Sequence, residues 1–348
     1  MTSLLIGLGA ILTIAVLFLI FRLLAVVSIV KGTDNKREKT SNNVNGFMLF
    51  FLFLVGVVAM FWYSGIAKEN FLPESASMHG KWTDSMFWVT TWITIAMFLF
   101  TNFILFYFSW RYRFKESRKA SFYPDNNTLE IVWTIVPAII LTALVITGWR
   151  TWTKITDKAP DDALVIEIKA KQFGWEVRYP GEDNELGHFD YRLIDATNQF
   201  GMDFTDNASM DDIVPRKIYL PKGKPVLFKI RAVDVLHSVF APHFRLKMDA
   251  VPGMRNEFWF VPEITTAEMK TITANPDFTY ELACTEVCGR GHFAMRMEIV
   301  VQDENEFNEW YAAEEPWAVR NKDYVDEAQA KRGGATAQKN KELNKAIL

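Results

Sequence analysis

The stretch that decides how this chain is read is Cys284–Met295, CTEVCGRGHFAM, which holds both cysteines of the protein together with His292 and Met295. Thiolate, imidazole and thioether are the soft-to-borderline donors that copper favours. His237, in the upstream run DVLHSVFAPHF, offers a second imidazole from a different loop. A single blue-copper centre uses one cysteine, two histidines and a weak axial methionine. The second cysteine exceeds that need, and two thiolates can bridge two metal ions that each take one histidine. Three plainer readings stand beside it. The cysteines can form a disulfide in an oxidising compartment, share a zinc ion with the two histidines, or be buried as small apolar residues.

Outward from the loop, the 348 residues are enough for more than one domain. The net charge of −3 gives no sign of a nucleic-acid partner. Apolar residues concentrate before Lys154 and charged residues after it, which reads as a membrane half followed by a soluble half. Two cysteines in one loop exclude a disulfide framework. No C-x-x-C-H is present, so the chain attaches no c-type haem and any electron donor is a separate protein or subunit.

Four apolar runs, about Ser3–Val30, Gly46–Ala67, Met86–Trp110 and Ile131–Trp152, approach or exceed the length of a membrane helix, about 20 residues. Arg22 lies within the first, whose span is expected to stop there or turn along the interface. That run lacks the basic start and small-residue cleavage site of a signal peptide. Lys31, Lys36, Arg37 and Lys39 follow the first run, and Arg111, Arg113, Lys115, Arg118 and Lys119 follow the third. The positive-inside rule keeps both basic loops in the cytoplasm. The mixed loop Lys68–Ser85, both termini and the soluble half are then outside.

After Trp152 the periodicity changes. In LVIEIKAKQF, Leu164, Ile166 and Ile168 alternate with Glu167, Lys169 and Lys171, which predicts a half-buried strand. KPVLFKIRA, EFWFV and RMEIVVQ read as further strands, punctuated by PKG, VPG and NPD turns. Short strands with such turns predict a Greek-key sandwich or barrel. Asp195–Val214 is too long and polar for a hairpin loop and reads as a surface excursion. Beyond Trp310 the mixed charge and scarce apolar anchors predict an extended tail.

The loop, the upstream DVLHS, the run KMDAVPG and the helical run EIVWTIVPAIIL together resemble subunit II of the haem–copper cytochrome c oxidases, over roughly Trp82 to Trp310. The resemblance implies an α+β membrane protein, with N-terminal transmembrane helices in four spans and two hairpins followed by a cupredoxin-like Greek-key β-sandwich. The domains are then an extra transmembrane hairpin over 1–80, the family's own hairpin over 81–155, a cupredoxin domain over 156–312 and an extended charged tail over 313–348. It implies a dinuclear Cu-A centre of two copper ions. Cys284 and Cys288 bridge the coppers, His237 and His292 bind one each, Met295 is a weak ligand and Glu286 lends its backbone carbonyl. The Glu286 side chain reaches a magnesium or manganese ion shared with subunit I, and Asp249 lies near it. Glu130 matches the cytoplasmic mouth of a proton pathway into subunit I; its plain reading is a carboxylate at a helix N-terminus.

In AKQFGWEVRYPG, Phe173 occupies the place where the family carries its electron-receiving tryptophan, and Trp175 follows. Either ring is a candidate for that role, and both can equally be strand residues packing on the sandwich. His243 reads as a polar loop residue, His79 and His188 as surface residues, and Met254 and Arg255 depart from the family's arginine after VPG. The implied function is to accept electrons from cytochrome c and pass them to haem in subunit I, where dioxygen is reduced and protons are translocated. Its setting is the bacterial cytoplasmic membrane, multi-pass, with the copper domain on the periplasmic face. Subunit I, other oxidase subunits and membrane lipid are the implied partners. The wording most resembles bacterial branches whose oxidase associates with alternative complex III, whose cytochrome c module is then a candidate donor. The rival readings are a quinol oxidase subunit of the same fold, which lacks the ligand set, a membrane-anchored copper-binding or assembly protein, and the electron-receiving domain of a nitrous-oxide reductase.

Overall fold

The computed structural model describes residues 2–31, 34–68, 71–115 and 117–331. They form two compact units, Met1–Leu72 with Thr90–Pro137, and Pro73–Val89 with Ala138–Leu348. Four long helices run through the N-terminal half: α1 (Thr2–Val30), α2 (Asp34–Ala67), α3 (Met78–Arg111) and α4 (Asn127–Thr156). Among the described residues, three stretches are long and apolar enough to cross a membrane: Lys39–Ala67 in α2, α3 and α4. The apolar part of α1, Ile11–Val27, is shorter. Of the four spans expected, three are long enough, and the first, already expected to stop or turn at Arg22, is the shorter one. Hydroxyls inside these helices bond back to the preceding turn, as Ser64 does to Met60 O and Thr101 to Met97 O, at 2.8 and 2.7 Å. The hydrogens of these hydroxyls are then not left facing hydrocarbon. In the first unit α2 packs on α3 through stacked Phe53 and Phe106, 4.7 Å between centroids, and Phe50 against Phe103 and Trp110.

The second unit is built on two sheets. The four-stranded sheet has the order β2-β1-β4-β7, with β1 Leu164–Lys171, β2 Gly174–Arg178, β4 Val226–Ala232 and β7 Asn256–Phe260. The five-stranded sheet has the order β3-β9-β8-β5-β6, with β3 Ile218–Pro221, β5 His237–Ala241, β6 Leu246–Ala250, β8 Tyr280–Cys284 and β9 Arg296–Gln302. Pairs β1–β4 and β3–β9 are parallel and the others antiparallel. Alternate residues Ile166, Ile168, Val177, Phe228 and Ile230 of one sheet meet Val239, Leu282, Ile299 and Val301 of the other in one apolar core. The short helix α5 (Thr266–Ile272) starts on a capping box between Thr265 and Glu268.

The half-buried strand expected over β1 is buried on both faces. Glu167 and Lys169, on its polar side, are 5% and 1% exposed. Charge compensation makes this tolerable. Glu167 pairs with Arg178 at 2.6 Å and with Arg231, Arg178 also holds Asp212 at 2.9 Å, and Lys169 pairs with Glu176. The cover comes from the excursion, whose Phe200 lies under Lys169 and Arg178, and from Phe189 just before it, whose ring centroid lies 3.7 Å from the Arg231 guanidinium carbon. Burial pushes the Lys169 ammonium down to about 7 and the Asp212 carboxyl up to about 7.

The extended tail is also corrected. Beyond α6 (Glu304–Ala313), α7 (Trp317–Arg320) and a helix over 322–331 continue the fold. Trp317, Ala318 and Val325 bury against Phe200, Met202 and Phe204 in a second apolar core. The excursion and the tail each lack enough apolar residues alone, and together they make one small core. Residues 332–348 lie outside the described residues.

The segment expected at the end of an extra membrane hairpin joins the soluble domain instead. Ser75, Ala76 and Ser77 are buried, with Ala76 N–H on His243 O at 2.7 Å and Ser77 bridged to Pro262. His79, read as a surface residue, is 1% exposed and packs on Trp82, Phe258 and Trp259. His188 is exposed as expected.

Candidate metal centre

The ligand candidates meet because β5 and β8 are neighbours in one sheet. Val239 pairs with Cys284, so His237, two residues earlier on β5, arrives beside the end of β8. The chain then leaves β8 at Cys284, loops through Cys288 and His292, and returns to β9. Cys284 N–H donates to Met295 O at 3.1 Å and Thr285 N–H to Ser238 O at 3.2 Å, closing the loop at its base. Forty-seven residues of sequence separation between His237 and Cys284 thus shrink to 3.9 Å between Nδ1 and Sγ.

The donors converge. Cys284 Sγ lies 3.9 Å from Cys288 Sγ and 3.2 Å from Glu286 O. Cys288 Sγ lies 3.6 Å from His292 Nδ1 and 3.9 Å from Met295 Sδ. The His237, Cys284 and Cys288 donor atoms all fall within 4.8 Å of one another, and all three side chains are buried. The cysteines are free, and their sulfurs stand far beyond the disulfide length, about 2.05 Å. Burial, and then the Cys284 thiol beside it, push the Cys288 thiol up to about 11. A thiol so placed gives up its proton only against a metal's positive charge.

The wider surroundings orient these groups. Asp234 Oδ1 stands 2.9 Å from His237 Nε2, leaving Nδ1 directed at the sulfurs. Trp175 is buried below the site, its Nε1–H donating to Met295 O at 3.3 Å and its ring edge-on to His237 at 6.2 Å. Phe173 lies in the turn before β2 rather than in a strand, and is 44% exposed. Val235, Leu236, Val287 and Phe293 are exposed with it. Asp249, in β6, is exposed and pairs in register with Ser238, the neighbour of His237. The Glu286 side chain is exposed, while its carbonyl faces Cys284. Glu130 occupies the first turn of α4. His243 takes no part: its ring packs on Phe278 and Tyr280, and burial, then Arg245, hold it neutral with a pKa of about 4. Asp234 had no assigned role in the sequence reading. Its position three residues before His237 was visible, but the hydrogen bond depends on how the β4–β5 loop turns.

A buried cluster of two thiols with imidazole and thioether donors beside them, on a two-sheet sandwich in a chain with helices able to cross a membrane, defines the class of protein. The sequence matches two family models: cytochrome c oxidase subunit II, transmembrane domain, over residues 65–150, and the periplasmic domain of the same subunit over 164–303. The chain is 34% identical over 276 residues to an alternative cytochrome c oxidase subunit 2 of Bradyrhizobium diazoefficiens, covering 78% of this chain and 89% of that one. It is 31% identical over 231 residues to a probable cytochrome c oxidase subunit 2 of Rickettsia prowazekii, covering 66% and 67%. Among solved structures, the periplasmic domain of a cytochrome oxidase subunit II from Bradyrhizobium japonicum is 25% identical, covers 44% of this chain and 95% of that one, and has a TM-score of 0.30. The chain belongs to the cytochrome c oxidase subunit II family. It is therefore a component of an oxidoreductase complex that works with the other oxidase subunits in respiratory electron transport, a membrane protein with a periplasmic domain. The family implies copper of the Cu-A type, and the His237, Cys284 and Cys288 cluster is compatible with it.

Proposed function

We propose that this chain takes single electrons from cytochrome c at two copper ions and hands them to haem in subunit I, where dioxygen reduction drives proton translocation. Convergence of the donor atoms is the observation that carries the reading: two sulfurs 3.9 Å apart, each with a histidine Nδ1 within 3.9 Å. Cys284, Cys288, His237 and His292 would hold the two copper ions, with Met295 Sδ and the Glu286 carbonyl as the weak donors. A mixed thiolate and imidazole set of this kind suits copper. When bound, the metal pair supplies a one-electron redox couple whose charge is shared over two ions. The chain's own part is to bury the site, hold His237 by Asp234 and keep water from the sulfurs, so that little moves between oxidation states.

Electron acceptance at Phe173 fits its exposure, and the buried Trp175, edge-on to His237, fits an inner relay. The exposed apolar residues Val235, Leu236, Val287 and Phe293 suit a docked protein. The donor is cytochrome c or a cytochrome c domain, including that of an alternative complex III. The Glu286 side chain, with Asp249 near it, holds a magnesium or manganese ion shared with subunit I. Glu130 admits protons at the cytoplasmic side. α1 supplies a fourth crossing of the bacterial cytoplasmic membrane, both termini lie outside, and the membrane hairpins precede the copper domain near residue 156.

The test is copper content and electron paramagnetic resonance of the full chain, with Cys288→Ser beside it. Two coppers sharing one unpaired electron give a seven-line hyperfine pattern that the serine variant loses. One copper with four lines, zinc in its place, or an unchanged signal in Cys288→Ser refutes the bridged pair.

A further inference from the structure

The turn between β1 and β2 touches both ligand-bearing loops at once. Gln172 Nε2 donates to the Cys288 carbonyl at 2.5 Å, while the Gln172 backbone N–H donates to Asp234 Oδ2 at 2.7 Å. The other oxygen of Asp234 accepts from Val235 N–H at 2.7 Å and faces His237 Nε2 at 2.9 Å. One residue therefore connects the backbone of a thiol ligand to the carboxylate that orients an imidazole ligand from the opposite loop. The residue beside it reinforces the contact. A Cβ built on Gly291 would meet Phe173 Cγ at 2.4 Å, and one on Gly289 would meet Phe173 Cζ at 2.9 Å, so the ring rests on bare backbone of the ligand loop. Gly289 also has a φ of +131°, which a side chain would strain.

We propose that Gln172 is a positioning residue of the metal centre, whose side-chain amide sets the spacing between the Cys288 loop and the His237 loop before copper arrives. The inference rests on the copper reading of this site. Physically, hydrogen bonds behind the ligands fix donor positions and limit rearrangement when the metal changes charge. Gln172 itself is exposed, so its side chain is not part of the core and its loss leaves the sandwich intact.

The experiment is hydrogen–deuterium exchange on the copper-free full chain in detergent, comparing wild type, Gln172→Leu and Gln172→Glu. Leucine removes the donor, and glutamate keeps the length but turns an acceptor toward the Cys288 carbonyl. In both variants, exchange across residues 284–295 and 234–238 is expected to quicken roughly two- to twelvefold, the worth of the one side-chain hydrogen bond lost. Strands β1, β4 and β9 keep wild-type protection. After copper loading, the hyperfine pattern of both variants shifts from that of the wild type. Unchanged exchange in the two loops overturns the proposal. So does a rise spread evenly over the strands, or a loss in the leucine variant that glutamate repairs. Failure of the copper reading shows separately, as a wild-type chain that takes up no copper.

Discussion

Replacing Trp317 by alanine isolates the second core from the metal centre. Trp317 is 9% exposed, stacks on Phe204 with centroids 5.2 Å apart and planes 8° from parallel, and meets Tyr324 edge-on at 5.8 Å. Its backbone N–H donates to Asp212 O at 2.8 Å, a bond that alanine keeps. Truncating a buried tryptophan costs about 3–5 kcal/mol, and the retained backbone bond places this one near 3 kcal/mol. The core it belongs to is small, so the loss opens the excursion and the tail together and leaves the sandwich folded. Hydrogen–deuterium exchange on the full chain reads this directly. Exchange through 187–214 and 317–331 should rise roughly a hundredfold, since each tenfold corresponds to about 1.4 kcal/mol. Protection of β5 and β8 and the copper signal should stay as in the wild type. A rise below tenfold, or a copper signal that changes with it, would refute the claim that excursion and tail form one separable core.

Three further outcomes are expected. Glu167→Ala leaves the guanidinium groups of Arg178 and Arg231 without their shared buried partner. It should cost roughly 3–5 kcal/mol in denaturant unfolding, and a loss below 1 kcal/mol would contradict the buried network. The Asp212 carboxyl, raised to about 7 by burial, holds a proton in the folded chain that the unfolded chain releases near the ordinary carboxylate value. Its contribution is fully present below about pH 4 and lost as pH rises through 7. The melting temperature of Asp212→Asn should therefore gain on the wild type between pH 5 and pH 8, and a constant difference would show that Asp212 does not titrate there. Glu130→Gln should slow oxidase turnover while reduction of the copper site keeps its rate; normal turnover would remove Glu130 from proton uptake.

Much of this was legible in the sequence because it is local. A run of apolar residues reports a membrane helix by length alone, and three of the four expected stretches are long enough among the described residues. The donor types and spacing in Cys284–Met295 point to a metal whatever the fold around them. Strands β1, β4, β7 and β9 were readable from alternation and from the turns after Pro221, Val251 and Asn275. The short strands β3, β5, β6 and β8 were less so, since five or fewer residues carry little periodicity, and β7, equally short, was readable from its aromatic run EFWFV.

What the tertiary structure alone decided are the long-range encounters. His237 could be named as a ligand candidate, but only the β5–β8 register brings its Nδ1 to Cys284. Lys169 and Glu167 look solvent-facing because alternation reports two faces of a strand and not what covers them. Phe200 covers Lys169 here, and Phe189 covers Arg231, the partner of Glu167. The tail looks unstructured because Trp317 and Val325 are too few to pay for ordering it alone, and their partners Phe200, Met202 and Phe204 lie more than a hundred residues away. Periodicity measures the preference of a segment for a face. Which face is buried, and against what, is settled by contacts between segments that no local pattern records.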